Sequence, residues 1–222
     1  EGGYEGGEGT AFVFVAINHG GAHWDEATKS GAAKDFLRYF GSRTGVKTNR
    51  EPMELRIGNL MAQDDDNQQP AMIYMSFSGS APRFSRKEIK FLQRYVEDIG
   101  GVILIDAVAG GAQRHARELG RKVTNGSRWR AIGRDDALMS SREDLRNYTD
   151  RELSLAGHDG NRILGIRASD GYWCVIYHPG DLVDAWRGAY DAEWQDTGFK
   201  FGTNVADYAM KRFTRRRRAP KE

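Results

Sequence analysis

The residues that could do chemistry in this chain follow apolar segments typical of buried strands. The stretch GVILIDAVAGGAQ, residues 101–113, runs from an apolar segment into Asp106 and then into a turn of small residues. In an α/β protein such a strand-to-helix turn is where an enzyme places a nucleophile. This turn has no Ser, Cys or Thr, and a methyl or isopropyl group cannot attack a carbonyl carbon. The turn therefore lacks a hydroxyl or thiol nucleophile, and Asp106, which precedes it, is the nearest polar side chain.

Asp106 has two possible roles. A carboxylate at the tip of a buried strand is costly unless it is hydrogen-bonded or exposed in a cleft. In a cleft it could act as a general base or bind a sugar hydroxyl. In a turn it could instead cap the backbone N–H groups of Val108 and Ala109. The sequence leaves both roles open and favours the cap.

Polar residues also follow the other predicted strands. In a doubly wound sheet, ligands bind at the carboxyl ends of the strands, where neighbouring connections diverge. His19 and His178 follow two such strands, and with Asp106 they are the candidate catalytic residues. For His178 the alternative is a hydrogen-bonded structural role. The candidate ligand-binding residues are Asn18, His19, Trp24, Ser78, Ser80, Asp106, Gly110, Gly111 and Asp181.

The segment HGGAHWD raises the question of a metal site. It places His19 and His23 four residues apart, with Asp25 close by. On a helix, two histidines with this spacing could share a zinc ion. Gly20 and Gly21 argue against a helix, and no third ligand has a diagnostic spacing. We therefore predict no metal site, and the sequence indicates no cofactor.

Cys174 is the single cysteine, so no internal disulfide can form. It lies in the apolar segment GYWCVIYHP, which predicts a buried, inert thiol. In a strand His178 shares its face but lies about 13 Å further along, so the two do not form a dyad. His115 and His158 are interpreted as surface or loop residues without a function.

Length and composition bound the organisation of the chain. Its 222 residues are enough for one large domain, and no apolar run reaches the roughly 20 residues of a membrane-spanning helix. Residues 1–9 are rich in Gly and Glu and predict a flexible linker or tail. We expect one α/β domain over residues 10–213 and a basic tail over residues 214–222. Since the chain begins at Glu1 rather than Met, we expect a processed product or part of a larger protein.

Four consecutive arginines at 215–218 account for the net charge of +2. Such a run could bind the phosphates of nucleic acid or anionic lipid. The alternative, a solvated tail, is favoured because no aromatic or basic partner patch stands out elsewhere. Nucleic acid is therefore not an expected partner.

Strands and helices alternate in the first half of the chain. The segments TAFVFVAI, AMIYMSF and GVILIDA are continuously apolar, as strands buried on both faces are. Between them, GAAKDFLRYFGSRTG has a helical apolar stripe, and SRKEIKFLQRYVEDIGG opens with a capping box of Ser85 and Glu88. Later, NRILGIRASDGYWCVIYHPGDL predicts two antiparallel strands joined at Asp170-Gly171. The predicted fold is a three-layer α/β sandwich with a mostly parallel, flavodoxin-like sheet extended by an antiparallel hairpin.

With these elements in place, the chain resembles the bacterial family called domain of unknown function 4159. The segments that carry the resemblance are NHGGAHW, IYMSFSGSAPRFSRKEIKFLQRYVEDIGGVILID, DDALMSS, YHPGDL and GTNVADYAM, in this order. The family is similar in fold to the class I glutamine-amidotransferase-like proteins, which include ThuA-like domains. It has no established activity, so the resemblance implies a fold and leaves the function open.

The resemblance also bears on the missing nucleophile. Working glutamine amidotransferases have a cysteine after this strand, in a pattern like Gly-x-Cys-x-Gly-x-Gln. Laid on AVAGGAQ, that pattern matches Gly111 and Gln113 and places the cysteine at Ala109, whereas the pattern Asp-Asp-Cys-x-Gly-Gly places it at Val108. Neither position has a sulfur. The histidine of a Gly-His-Gly loop after the third strand is also missing from SFSGSAP.

Three hypotheses follow. The first is a non-catalytic ligand-binding or interaction module on a glutamine-amidotransferase-like scaffold, part of a larger bacterial protein and extracytoplasmic or envelope-associated rather than cytoplasmic. Its partner would be a polar small molecule or glycan, or a protein partner or upstream domain. The second is a hydrolase that uses Asp106 with His19 or His178. The third is an assembly domain anchored through the arginines at 215–218.

Overall fold

A computed structural model describes residues 11–77, 79, 82–107, 111–155 and 162–218. Within these residues seven strands form one sheet, in the order β2-β1-β3-β4-β7-β6-β5. The strands are β1 Val15–Ile17, β2 Met53–Leu55, β3 Met72–Phe77, β4 Val102–Ala107, β5 Arg130–Ala131, β6 Leu164–Arg167 and β7 Trp173–His178. The helices are α1 Glu26–Lys29, α2 Ala32–Thr44, α3 Ile57–Met61, α4 Arg86–Arg94, α5 Ala112–Val123, α6 Asp150–Leu153, α7 Leu182–Trp186 and α8 Ala192–Arg218.

The sheet is mostly parallel, as predicted. Strands β2, β1, β3, β4 and β7 pair in parallel and have the flavodoxin-like order, whereas β7-β6 and β6-β5 pair antiparallel. Helices α2, α7 and α8 pack together on one side, and α3, α4 and α5 form a second helical group. This confirms the predicted three-layer α/β sandwich with its antiparallel extension. The connections diverge between β1 and β3, because the chain passes outward to β2 before it returns to β3.

Local sequence signals account for the best-defined helices. At α4 the Ser85 hydroxyl accepts the Glu88 N–H at 3.3 Å, and the Glu88 carboxylate accepts the Ser85 N–H at 2.7 Å. The predicted capping box is therefore confirmed. Helix α2 buries the expected stripe of Ala33, Phe36, Leu37 and Phe40 and ends at Gly45, whose φ of +72° suits glycine.

Two elements differ from the sequence-based expectation. After Arg94 the fourth helix widens into a π-helical turn, Tyr95–Ile99, and the Tyr95 hydroxyl there donates to the Pro70 carbonyl at 2.8 Å. The last helix is much longer than the segment TNVADYAMKRF, because it begins at Ala192 and continues to Arg218. The arginines at 215–218, predicted as part of a tail, are thus helical. No helix among the described residues combines the length and apolar character needed to cross a membrane.

Candidate functional site

Asp106 lies at the end of β4 and is completely buried. Its Oδ2 accepts the Tyr74 hydroxyl at 2.6 Å and the Val183 N–H at 3.3 Å, and its Oδ1 accepts the Leu182 N–H at 3.1 Å. Leu182 and Val183 are the first two residues of α7, so the carboxyl group binds backbone donors that the helix itself leaves unpaired. The predicted partners Val108 and Ala109 lie outside the described residues.

The surroundings of Asp106 disfavour its charge. Burial raises the pKa of Asp106 well above its usual value, and the nearby Asp181 carboxylate acts in the same direction. The hydrogen bonds from Tyr74 and from the start of α7 oppose this shift without cancelling it. Burial and the Asp106 charge also raise the pKa of Tyr74. Asp106 therefore attaches the start of α7 to the sheet through a completely buried contact.

His178 is a completely buried residue at the end of β7. Its Nε2 lies 2.8 Å from the Leu153 carbonyl oxygen, and its Nδ1 lies 3.2 Å from the Gly180 nitrogen. These contacts fit a neutral ring that donates to α6 and accepts from its own loop. Burial lowers the pKa of His178 to about 4. A Cβ on Gly180 would lie 2.2 Å from the Ser154 carbonyl oxygen, so glycine is required for this close approach of backbones.

His19 fills the position where the connections after β1 and β3 diverge. It is 2% exposed, its Nε2 lies 2.8 Å from the Ser76 carbonyl oxygen, and its Nδ1 accepts the Gly21 N–H at 3.1 Å. Its ring packs edge-on against Phe77, and burial lowers its pKa. The Arg83 N–H donates to the His19 carbonyl at 3.0 Å. Internal contacts therefore hold His19 in place at this end of the sheet.

The candidate catalytic residues share one end of the sheet but do not form a relay. Asp106 and His178 are direct register partners on β4 and β7. Their hydrogen bonds diverge, because Asp106 binds α7 and His178 binds α6. No hydrogen bond joins Asp106 to His19 or His178 in the part of the chain that the structure describes.

The loops at this end of the sheet contain the remaining described ligand-binding candidates, which we call the rim: Asn18, Trp24, Gly111 and Asp181. Asn18 and Trp24 are half-buried, and the Asn18 side chain accepts the Gly20 N–H at 3.1 Å. Gly111 begins α5 with a φ of +86°, and a Cβ there would lie 3.6 Å from the Gly79 Cα, so the loops after β3 and β4 meet. Ser78, Ser80 and Gly110 lie outside the described residues.

Asp181 is the ionisable member of the rim. Its Oδ1 accepts the Asp184 N–H at 2.9 Å, which caps α7. Burial raises the pKa of Asp181 to about 6, the carboxylates of Asp184 and Glu26 add to the shift, and Arg187 opposes it. Arg187 pairs with Glu26 at 3.7 Å and also with Asp184. Asp181 is therefore a half-buried carboxyl group with a raised pKa.

His115 lies beside the rim, and the sequence reasoning missed it. The sequence predicts a surface or loop residue, yet His115 lies in α5, is only 5% exposed, and has its Nε2 3.0 Å from the Gly79 carbonyl oxygen. It also borders a cavity of about 80 Å³ with Phe84 and Ile89. The available signal was its position in α5, one turn after Gly111, which directs it towards the loop after β3. His158 lies outside the described residues.

Metal-binding and thiol chemistry find no support in the described geometry. His19 bonds inward to Ser76, whereas the exposed His23 lies 3.8 Å from Glu26. The described residues contain no group of three or more His, Cys, Asp or Glu side chains that could hold a metal ion. Cys174 is buried, so the predicted burial of the thiol is confirmed, and burial raises its pKa to about 12, which disfavours the reactive thiolate.

Comparison with known proteins identifies the family of the chain. No curated protein matches the chain significantly. The model of the family described as domain of unknown function (DUF4159) matches residues 13–210. This range runs from the strand before His19 to the last helix, so it includes every described rim residue. The chain therefore belongs to the DUF4159 family.

Proposed function

We propose that this chain is a non-catalytic ligand-binding or interaction module on a glutamine-amidotransferase-like scaffold that lacks the nucleophilic cysteine. The observation that carries the proposal is that internal hydrogen bonds occupy the Asp106 carboxyl group. This carboxyl group accepts the Tyr74 hydroxyl and two backbone N–H groups of α7, and it has no exposed surface. A general base must reach a substrate proton, and this group holds a helix instead.

The ligand would bind at the rim. Asn18, Trp24 and Asp181 combine an amide, an indole ring and a carboxyl group, all half-buried. Polar hydrogen-bonding groups beside an aromatic ring suit a polar small molecule or a glycan. Asp181 Oδ2 has no hydrogen bond to the residues that the structure describes, so it is available to a ligand hydroxyl.

A thermal-shift screen of the purified chain tests the proposal. The probes are glucose, N-acetylglucosamine, cellobiose and mononucleotides, and a ligand at one hundred times its Kd stabilises by about 2.7 kcal/mol. We expect at least one probe to raise Tm, and we expect Asn18→Ala to abolish the rise. Asp135→Asn, at an exposed site after β5, is the control and should leave the rise unchanged.

The second arm of the test separates this proposal from the alternative of a hydrolase that uses Asp106 with His19 or His178. The chain is incubated with p-nitrophenyl acetate and with p-nitrophenyl glycosides. Turnover that disappears in Asp106→Asn, while circular dichroism and Tm stay unchanged, would establish the hydrolase and overturn the binding module. A ligand-induced Tm shift without turnover supports the module.

A further inference from the structure

An open groove of about 500 Å³ lies at the edge of the sheet, far from the rim. Its walls are the second half of α5 and the segment that leads to β5, and they include Arg117, Arg121, Arg128 and Trp129. Helix α5 starts at the rim with Gly111 and rises 1.5 Å per residue, so Arg121 lies about 15 Å away along its axis. The groove is therefore separate from the proposed ligand site.

The arginines of this groove have no partners within the described chain. Arg117, Arg121 and Arg128 are exposed, and their guanidinium groups form no ion pair or hydrogen bond with the described residues. Residues 114–130 contain six basic residues and one acid, Glu118, a net +5 in a chain of net +2. Glu118 lines the small cavity beside His115 and not this groove. The local positive charge is thus left to solvent.

Trp129 forms a fixed aromatic wall of the groove. Its indole N–H donates to the Arg117 carbonyl at 3.3 Å. Its ring lies on Gly120, where a Cβ would come within 2.3 Å of the Trp129 Cζ2, so only glycine allows this packing. The ring is half-buried, and its remaining surface lines the groove between the arginines. Because the ring is already ordered, a base that stacks on it meets a small entropic cost.

The sequence by itself does not predict a nucleic-acid partner, because these arginines and Trp129 come together only in the fold. We propose that this groove binds single-stranded nucleic acid, with phosphates on Arg117, Arg121 and Arg128 and a base on Trp129. Guanidinium groups bind phosphates in a bidentate manner, and Arg117 and Arg121 stand one helical turn, about 6 Å, apart along one face. A charged groove that follows the backbone, together with an aromatic stacking surface, is how single strands are bound without strict sequence preference.

A membrane surface fits the groove less well. The large apolar side chains that are exposed among the described residues are Met53 and Met61, at 40% and 39%. They belong to β2 and α3 at the opposite edge of the sheet from β5. An interfacial site would need such side chains beside its cations.

The first test measures fluorescence anisotropy of labelled dodecamers of deoxythymidine and of uridine with the full chain, over a range of salt. We expect Arg117→Ala/Arg121→Ala to weaken binding at least about tenfold and to lower the slope of log K against log salt by about 1.4. Lys47→Ala/Arg50→Ala removes the same charge from exposed sites beside β2 and should change Kd less than about twofold. Equal weakening by both variants would overturn the proposal.

The second test detects the base. Stacking on Trp129 should quench intrinsic fluorescence, and Trp129→Phe should remove that quench while retaining the packing on Gly120 and most of the affinity. Polyphosphate and polyglutamate are tested as competitors. If the oligonucleotides quench the fluorescence and neither competitor does, the result supports the proposal. Binding of polyglutamate or polyphosphate as tight as that of the oligonucleotide, or a quench that survives in Trp129→Phe, overturns it.

Discussion

Two regions rich in arginine behave differently in this molecule. On α8 four of the five arginines have side-chain partners, and Arg218 is the exception among the described residues. Arg212 is completely buried and bonds to Asp170 and to two carbonyls, and Arg216 bonds to the same carboxylate. In the groove beside α5, Arg117 and Arg121 have no such partner among the described residues. Dense positive charge in a sequence therefore does not identify a binding surface. The partners that tertiary structure brings to each guanidinium decide its role.

The same distinction applies to the acids and histidines at the end of the sheet. Asp106 and His178 are committed to internal hydrogen bonds, whereas Asp181 stays half-buried with one free oxygen among the described contacts. Substituting a side chain that is held by internal hydrogen bonds should change the free energy of unfolding. Substituting a side chain without such bonds should change ligand binding. Four predictions test this comparison, from the largest expected effect to the smallest.

Arg212→Met should have the largest effect. It removes the bonds to Asp170 and to the carbonyls of Gly101 and Val96, leaving buried acceptors without donors. Loss of one partner of a buried charged network costs about 3–5 kcal/mol. Urea unfolding should show this loss, whereas Arg117→Ala/Arg121→Ala should stay within about 0.5 kcal/mol of the parent. Similar losses of unfolding free energy in both variants would contradict the difference between the two arginine regions.

His178 should make the protein sensitive to acid. Its pKa is about 4 in the fold and near 6.5 in an unfolded chain, so the unfolded chain takes up the proton first as the pH falls. The unfolding free energy should therefore decrease between pH 6.5 and pH 4, by about 3 kcal/mol from this residue. His178→Gln should flatten that decrease in urea titrations across this range, and the exposed His23→Gln should not. A parallel decrease in parent and His178→Gln would contradict the assignment.

Asp106→Asn should destabilise the fold by about 1–3 kcal/mol, because one amide nitrogen would face the backbone donors of α7. The measurement is urea unfolding at pH 7, with Asp135→Asn as the control. An unchanged midpoint would mean that the carboxyl group does not hold α7. Asp106 would then again be a candidate functional residue.

Asp181→Asn should have the smallest effect and the opposite sign. The Asp181 pKa of about 6 lies above its unfolded value of 3.8, so its stabilising protonation is fully present below about pH 4 and is lost as the pH rises to about 6. Asparagine keeps the cap on Asp184 and removes the repulsion from Glu26. Thermal unfolding at pH 7 should show a gain of up to about 1 kcal/mol, with no gain at pH 4. A loss at pH 7 would show that the charged form is favoured.

Local patterns predicted much of the fold. The continuous apolar runs predicted β3 and β4, and the Ser85–Glu88 capping box predicted the start of α4. Asp170-Gly171 predicted the hairpin turn. Each of these features depends on residues that are close together in the chain. The length of α8 was underestimated. Its ends are stabilised by distant residues, as in the contact of Arg217 with Asn67, which is invisible to local propensity.

The candidate site was predicted less completely. The sequence placed Asp106, His19 and His178 at strand ends, and that placement follows from periodicity alone. It did not reveal that Asp106 caps α7, which lies 76 residues further along in sequence at Leu182. It also assigned His115 to the surface or to a loop, because the contact with Gly79 exists only after the sheet has formed.

By itself, the sequence determined that the strand-to-helix turn has no hydroxyl or thiol nucleophile and that a layered α/β sheet forms, because both depend on residue type and short-range periodicity. Tertiary structure alone decided which polar groups are committed and which are free. Hydrogen bonds and ion pairs between distant segments have no local signature. Three of the arginines at 215–218 therefore bond to distant side chains from the end of a helix. The dispersed Arg117, Arg121 and Arg128 became one open basic groove for the same reason.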